Sequence, residues 1–139
     1  MQFIAVPVEH VQRIWHMVED MLQMAVDQSG ERYTTDWLLD DILHSNKLLW
    51  LLVDDDNDDK IVLALTTSIE NYPNRRVIRV SFAGGEHLIK HIELARDEVK
   101  KFGKDAGCTK IEVLGRKGWE RALKDLGFKL SYVCVEEDI

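Results

Sequence analysis

Two consecutive glycines, Gly84 and Gly85, stand between an apolar run and a long amphipathic pattern. The run Val77 to Phe82 predicts a strand, and the residues after His87 repeat with the period of a helix. A glycine places no side chain between the backbone and a ligand, and the first amides of a helix have no partner within it. The pattern therefore predicts a binding place for an anion or a cofactor at this turn.

Two other patterns could bind a metal ion, and the spacing of each argues against it. His87 and His91 are four residues apart on the predicted helix, but the HExxH form is absent and no third ligand is near them except Glu86. The acidic run from Asp54 to Asp59 lacks the glycine and the glutamate that an EF-hand loop requires. We interpret the histidines as surface residues and the acidic run as a solvated hairpin turn, and we predict no metal site.

The composition is that of an ordinary globular domain with an acidic surface. Hydrophobic residues make up 45% and charged residues 31% of the 139 residues, which predicts a single domain over 1–139. The net charge of −7 argues against nucleic acid or an anionic membrane as a partner. Because the sequence has no signal-peptide pattern and no apolar run of membrane-spanning length, we expect a cytoplasmic protein. Cys108 and Cys134 lack metal-binding spacing and are expected to be buried thiols.

Hydrophobic periodicity predicts the order of the elements. A short strand and a long amphipathic helix come first, and a second helix begins at the capping residue Thr34. Three antiparallel strands follow, then a long helix, a strand, a short helix and a last strand. A long helix separates the predicted strand 77–82 from the predicted strand 109–114. Because a crossover helix of this kind joins parallel strands, these two strands should be parallel neighbours. The predicted strands are 3–6, 48–53, 61–69, 77–82, 109–114 and 128–135.

This order of elements resembles that of the GCN5-related N-acetyltransferase (GNAT) superfamily over the whole chain. The most specific part is the strand IEVLG followed by Trp119 to Phe128, WERALKDLGF, which looks like the closing helix of the family and its leucine-glycine-phenylalanine step. The run GRKGWERAL is also similar to small GNAT-like proteins of tailed bacteriophages. The resemblance implies a mixed α/β (α+β) fold with a largely antiparallel sheet of six to seven strands, about four helices and a central parallel strand pair.

The resemblance also implies a reaction. In the family, acetyl-CoA enters between the two parallel strands, its pyrophosphate lies at the long helix, and an amine attacks the thioester. The base candidates carried onto this chain are Glu70 and Glu112, and Tyr132 or Tyr72 could protonate the thiolate. The residues implied to contact acetyl-CoA are Val80, Ser81, Phe82, Ala83, Gly84, Gly85, Glu86 and His87.

Three features depart from the family pattern. The phosphate-binding loop is several residues short, Glu86 carries a negative charge where the pyrophosphate would arrive, and Leu123 occupies the position of the frequent proton-donating tyrosine. The leading hypothesis is an acyl-CoA-dependent N-acetyltransferase that acts on an amine of a small molecule or a protein. The alternative is a catalytically inactive, phage-type protein that binds another protein in a bacterial or phage-infected cell. A homodimer is a further expectation from the family.

Overall fold

A computed structural model describes all 139 residues as a five-stranded sheet with helices on both faces. The elements are β1 (Gln2–Val6), α1 (Val8–Asp27), α2 (Thr35–Leu43), β2 (Leu48–Asp54), β3 (Lys60–Asn71), β4 (Arg76–Gly85), α3 (Leu88–Asp105), β5 (Lys110–Val113) and α4 (Gly118–Leu123), followed by a 3₁₀ turn, Lys124–Leu126. The strands lie side by side in chain order; β1 to β4 are antiparallel, and β5 is parallel to β4. None of the helices combines the length and apolar character needed to cross a membrane.

Local sequence explains where the first two helices begin. Pro7 directly precedes α1, where its fixed φ suits the start of a helix and its missing N–H costs nothing. The hydroxyl of Thr34 accepts a hydrogen bond of 3.1 Å from the amide of Trp37 and so caps α2. The side of α1 that faces the sheet is fully or almost fully buried, as the periodicity predicts. Its buried residues are Val11, Trp15, Val18, Leu22 and Val26.

The sheet separates two hydrophobic clusters. On one side, which we name the α1 face, α1 and α2 cover residues such as Leu49, Leu51 and Ala64. On the other side, the α3 face, α3 covers Trp50, Leu52 and their neighbours. Because the side chains of a strand alternate between the two faces, the almost wholly apolar β2 contributes to both clusters.

The structure corrects three details of the sequence analysis. The sheet has five strands, and 128–135 forms no strand because no neighbouring strand pairs with its backbone. The strand predicted at 77–82 continues through Gly85, so the turn before α3 consists of Glu86 and His87 alone. Cys134 is exposed rather than buried, since it lies in the unpaired segment, while Cys108 is partly buried.

Candidate functional site

The pairing of the parallel strands β4 and β5 ends halfway along β4, because β5 ends at Val113 while β4 continues. They pair from Val77 with Lys110 to Val80 with Val113, and the amide of Leu114 donates the last hydrogen bond, 2.9 Å long, to the carbonyl of Val80. Beyond this point β4 continues to Gly85 with β3 as its only strand neighbour. The edge of β4 from Ser81 to Gly85 therefore faces a gap in which its backbone has no strand partner.

A β-bulge lies where the gap begins. Thr67 pairs with Val80 and Leu65 with Ala83, so Ser81 and Phe82 together oppose the single residue Thr66. The bulge changes the direction of the side chains: Val80 belongs to the cluster on the α3 face, whereas Phe82 belongs to the cluster on the α1 face. A bulge of this kind leaves backbone groups out of the ladder, which makes them available to a ligand.

Apolar side chains line the α3 side of the gap. The walls of this groove come from β3 and β4, from α3, from β5 and from α4. The single charged lining residue is Arg96, whose guanidinium is held by Asp97 at 2.7 Å and by the carbonyl of Leu126 at 3.2 Å. The groove is apolar but narrow: its volume is about 40 Å³, far below the roughly 300–1,000 Å³ of small-molecule sites. Its lining includes Ala83, Leu88, Ile92, Val113, Trp119 and Leu123.

The beginning of α3 lies at the end of the same strand. His87 precedes the helix in a left-handed conformation with φ of 50°, and no side chain caps the first amides. The first turn contains no acidic residue. These uncapped amides, together with the helix dipole, give this end of α3 a partial positive charge.

The charge of Glu86 is compensated within the protein. Its carboxylate forms an ion pair of 3.0 Å with Lys60, and its amide donates a hydrogen bond to the carbonyl of Val62. The hydrogen bond from Lys60 lowers the pKa of Glu86, and the charge of Lys60 lowers it further. The negative charge that the sequence places at the turn is therefore paired with a cation from β3.

The two glycines of the predicted binding turn have structural reasons to be glycine. A side chain at Gly84 would overlap the backbone carbonyl of Met21 in α1. Gly85 has φ of 142°, which side-chain-bearing residues rarely adopt, and a side chain there would overlap the carbonyl of Val62. Close packing of α1 and β3 against the end of β4 therefore accounts for both residues without a ligand.

A cluster of polar side chains lies on the α1 face beside the start of the gap. Arg79 donates a hydrogen bond of 2.9 Å from Nε to Oε1 of Glu112 and approaches Oε1 of Glu70 at 3.5 Å. Tyr72 donates to the same oxygen of Glu112 at 2.6 Å and accepts a bond from Arg79, and Ser68 donates to Glu70 at 2.9 Å. All of these bonds go to Oε1, so Oε2 of each glutamate has no hydrogen-bond partner and is free to accept one.

The pKa shifts in this cluster follow from these contacts. The hydrogen bond to Glu112, together with partial burial, raises the pKa of Tyr72 above its usual value, so the phenol stays protonated at neutral pH. Burial acts to lower the pKa of Arg79, but the hydrogen bond to Glu112 and the charge of Glu70 outweigh it and raise the pKa overall. Arg79 therefore remains a cation between the two carboxylates.

The structure brings together two of the three catalytic candidates. Glu70 and Glu112 meet around Arg79, while Tyr132 is 72% exposed in the unpaired C-terminal residues. Leu123 is buried and belongs to the groove wall. The sequence did not predict that Arg79 contacts both glutamates. An arginine on an alternating strand is expected to face solvent, and only the pairing of Arg79 with Glu112 shows otherwise.

Two further features near the bulge were also missed. On the α1 face the rings of Tyr33 and Trp37 stack with centroids 4.5 Å apart, and Tyr33 contacts the ring of Phe82 edge-on at 5.4 Å. A cavity of about 390 Å³ lies between the α2–β2 loop and β3, and Ser68 of its wall is the residue that bonds Glu70. This volume is within the usual range for small-molecule sites, roughly 300–1,000 Å³.

Comparison with known proteins finds solved structures that have a similar fold, but no match at the level of sequence. No protein-family model and no curated protein matches the sequence. Among solved structures, a probable acetyltransferase has a TM-score of 0.72 at 10% identity, with 100% of both chains covered. The ribosomal-protein-alanine N-acetyltransferase of Brucella melitensis biovar Abortus 2308 has a TM-score of 0.71 at 12% identity, again with 100% of both chains covered.

A third solved structure comes from Clostridium acetobutylicum and is described as a predicted acetyltransferase with acetyl-CoA. Its TM-score is 0.66 at 12% identity, and the match covers 99% of this chain and 95% of that chain. Identities of this size establish the fold alone. The chain therefore has a GNAT-like fold, with a five-stranded mixed sheet instead of the six to seven strands that the resemblance implied.

Proposed function

We propose that this chain is a GNAT-like N-acetyltransferase that binds acetyl-CoA, or a related acyl-CoA, along the unpaired edge of β4 beyond the end of β5. The observation that carries the proposal is that β4 continues from Ser81 to Gly85 with one edge unpaired, next to apolar side chains and the uncapped end of α3. The free backbone edge from Ser81 to Gly85 would bind the amide groups of the pantetheine arm. The amides at the start of α3 would bind the pyrophosphate, with Lys90 adding a positive charge.

The polar cluster would supply the groups that act on the acceptor amine. We assign Glu112 or Glu70 as the general base through its free Oε2, acting directly or through a water molecule. The amine nitrogen would bond to the acyl carbon, a backbone amide at the bulge would stabilise the developing oxyanion, and the CoA thiolate would leave. Tyr72, whose raised pKa keeps it protonated, is a better placed proton source than Tyr132 within this cluster. The cavity beside Ser68 would accommodate the rest of the acceptor.

The first experiment is isothermal titration of acetyl-CoA, with CoA as a parallel ligand, into three proteins. In the variant Lys90→Glu an exposed charge is reversed in the first turn of α3, and in the matched control Lys100→Glu the same reversal lies about 15 Å farther along the helix. We expect Lys90→Glu to weaken binding by roughly fivefold or more, since an acidic residue would repel the pyrophosphate there, and Lys100→Glu to bind nearly as the parent does. Absence of heat and of thermal stabilisation at millimolar acetyl-CoA would refute the proposal.

A second function rests on a different observation. Arg79 is bonded to one glutamate of the cluster and close to the other, and Leu123 cannot donate a proton. These observations support the alternative that we also propose, a catalytically inactive, phage-type protein that acts by binding a protein. The two functions separate in an assay of CoA thiol release with a panel of primary amines. Turnover that is lost in Glu112→Gln supports the enzyme, whereas binding of acetyl-CoA without turnover favours the inactive protein.

A further inference from the structure

The cavity of about 390 Å³ lies where β3 extends beyond β2. β2 begins at Leu48, which pairs with Thr67, so the residues of β3 after Thr67 have no strand on that side. The start of α1, the end of α2 and the α2–β2 loop surround this place and leave the cavity between them. The cavity is therefore a consequence of the unequal lengths of two neighbouring strands.

The inner wall of the cavity is mostly apolar, and its rim is polar. Ile42 and Leu49 of the wall are 2% and 0% exposed. Ser45 and Asn46 of the α2–β2 loop are exposed, and Val8, with 40% of its surface exposed, also lies at the rim. A ligand that enters from solvent passes polar groups and places its apolar part inside, which is typical of small-molecule sites.

The lining contains one charged residue, Lys47, and its charge is already compensated. Its Nζ atom forms an ion pair of 2.9 Å with Asp41 and lies 5.3 Å from the ring centre of Trp37. Burial acts to raise the pKa of Asp41, but hydrogen bonds from Lys47 and Asn46 outweigh it and lower the pKa overall. An anionic group on a ligand would have to break this shielded pair, and a second ammonium would find no free carboxylate in the lining.

Ser68 connects the cavity with the polar cluster. It belongs to the cavity wall, and its hydroxyl donates the hydrogen bond of 2.9 Å to Oε1 of Glu70. Glu70 lies two residues farther along β3 and on the same face, at a distance of about 7 Å along the strand. A cation beside the free Oε2 of Glu70 is therefore within reach of a group in the cavity through a short linker.

We propose that the cavity binds the uncharged, largely apolar body of a primary monoamine whose ammonium group lies at Glu70. The inference rests on the proposed function only in naming this amine as the acyl acceptor. The cavity then selects alkylamines and arylalkylamines of modest size. It discriminates against diamines and amino acids, because their second charge would be taken from water to a place without a free counter-charge.

The test is isothermal titration of four amines into the protein without acetyl-CoA. Hexylamine, 1,6-diaminohexane and 6-aminohexanoate share one length and differ in the charge of the far end, and ethylamine lacks the apolar body. We expect hexylamine to bind roughly tenfold or more tightly than each of the other three, since only hexylamine buries an apolar chain without a second charge. Equal affinities of hexylamine and ethylamine, or tighter binding of either doubly charged compound, would overturn the proposal.

A pair of substitutions locates the bound amine. Val8→Trp places a large ring at the rim of the cavity and should weaken hexylamine binding by roughly tenfold. Met17→Trp is the matched control, because it adds the same ring at an exposed position of the same helix, about 13 Å farther along, and should bind as the parent does. Thermal unfolding checks that both variants fold. Weakened binding in both variants, or in neither, would contradict the assignment to this cavity.

A change of charge at the same position tests the selectivity. Val8→Glu adds a carboxylate at the rim, and an acidic residue in the first turn of α1 is compatible with the helix. The preference should shift severalfold toward 1,6-diaminohexane, since its second ammonium then has a counter-charge. An unchanged order of affinities would show that the far end of the amine does not reach this rim, and the proposal would fail.

Failure of this inference and failure of the proposed function give different results. Binding of acetyl-CoA without discrimination among the amines overturns the inference alone. Discrimination among the amines by a protein that does not bind acetyl-CoA refutes the proposed function and leaves the cavity as an amine site. Release of the CoA thiol that is fastest with hexylamine and is reduced in Val8→Trp supports both.

Discussion

Two neighbouring threonines of β3 are equally buried and differ in their hydrogen bonds. Thr67 is 2% exposed, and its hydroxyl accepts a bond of 2.9 Å from the indole nitrogen of Trp50. Thr66 is 0% exposed, faces the bulge of β4, and its hydroxyl has no partner. An unpaired hydroxyl in the interior costs free energy relative to water, whereas a paired one does not.

We predict opposite effects on stability for the same substitution at these two positions. Thr66→Val removes an unsatisfied hydroxyl while retaining the shape of the side chain, and should raise the free energy of unfolding by about 1 kcal/mol. Thr67→Val leaves the Trp50 N–H buried without an acceptor, and should lower the free energy of unfolding by about 1–3 kcal/mol. Urea unfolding of both variants measures the difference. Equal destabilisation would show that the hydroxyl of Thr66 has a partner in solution.

Individual residues of the candidate site were predictable from the sequence, but their contacts were not. Glu70 and Glu112 carry the chemistry of a base wherever the chain places them, so their type was enough to select them. Their meeting at Arg79 depends on two registers, Ser68 with Arg79 and Arg79 with Glu112. A shift of one residue in either pairing would turn one glutamate to the opposite face, and no local pattern in the sequence fixes that register.

The contact between α1 and β4 depends on one missing side chain. Gly84 lies on the α1 face after the bulge, where the backbone of Met21 passes directly over it. A glycine at this position allows a helix and a strand to approach more closely than any other residue would permit. The approach of this helix also carries the α1–α2 loop, with Tyr33, to the ring of Phe82.

Gly84→Ala should therefore destabilise the protein by about 3 kcal/mol, at the upper end of the range for an added methyl group in a packed interior. The methyl group meets backbone atoms of α1, which cannot move aside without shifting the helix. Gly118→Ala is the control, because its nearest neighbour is the Nε atom of Arg116 at 3.9 Å and the helix α4 favours alanine. The Tm values of the two variants should differ by roughly ten degrees, since about 1 kcal/mol shifts Tm by roughly 2–8 °C in domains of this size range.

At the level of elements, the sequence predicted the order correctly and failed where a neighbour decides the structure. The apolar stripe of α1 and the run of β2 each specify their own conformation, and both elements are present as expected. The residues 128–135 have an equally clear strand pattern, but a strand needs a second strand for its hydrogen bonds, and these residues pair with none. Alternation is visible in the local sequence, whereas pairing depends on a neighbouring strand that the local sequence does not specify.

Across the whole molecule, the sheet joins two hydrophobic clusters that lie on its opposite faces. Leu22 of α1 and Leu52 of β2 are both fully buried, the first on the α1 face and the second on the α3 face. Because every strand from β2 to β4 contributes to both clusters, loss of packing on one face should weaken the other. We expect the chain to unfold as one cooperative unit.

Leu22→Ala and Leu52→Ala should each lower the free energy of unfolding by about 2–5 kcal/mol, since each leaves a cavity in a closely packed interior. Far-ultraviolet circular dichroism and tryptophan fluorescence should give coincident urea transitions for both variants, because Trp15 and Trp50 report on opposite faces. Transitions that separate, with one face melting before the other, would contradict a single unit.

The bulge gives the two halves of β4 different freedom to change over evolutionary time. Substitutions between Arg76 and Val80 are restrained by strands on both edges, so they must preserve two ladders at once. The half from Ser81 to Gly85 pairs with β3 alone, and its other edge is unpaired. Substitutions that change which group contacts this unpaired edge need not disturb the pairing of the other strands. One strand thus joins a half that is paired on both edges to a half with one free edge, which is a route by which a single fold comes to host many activities.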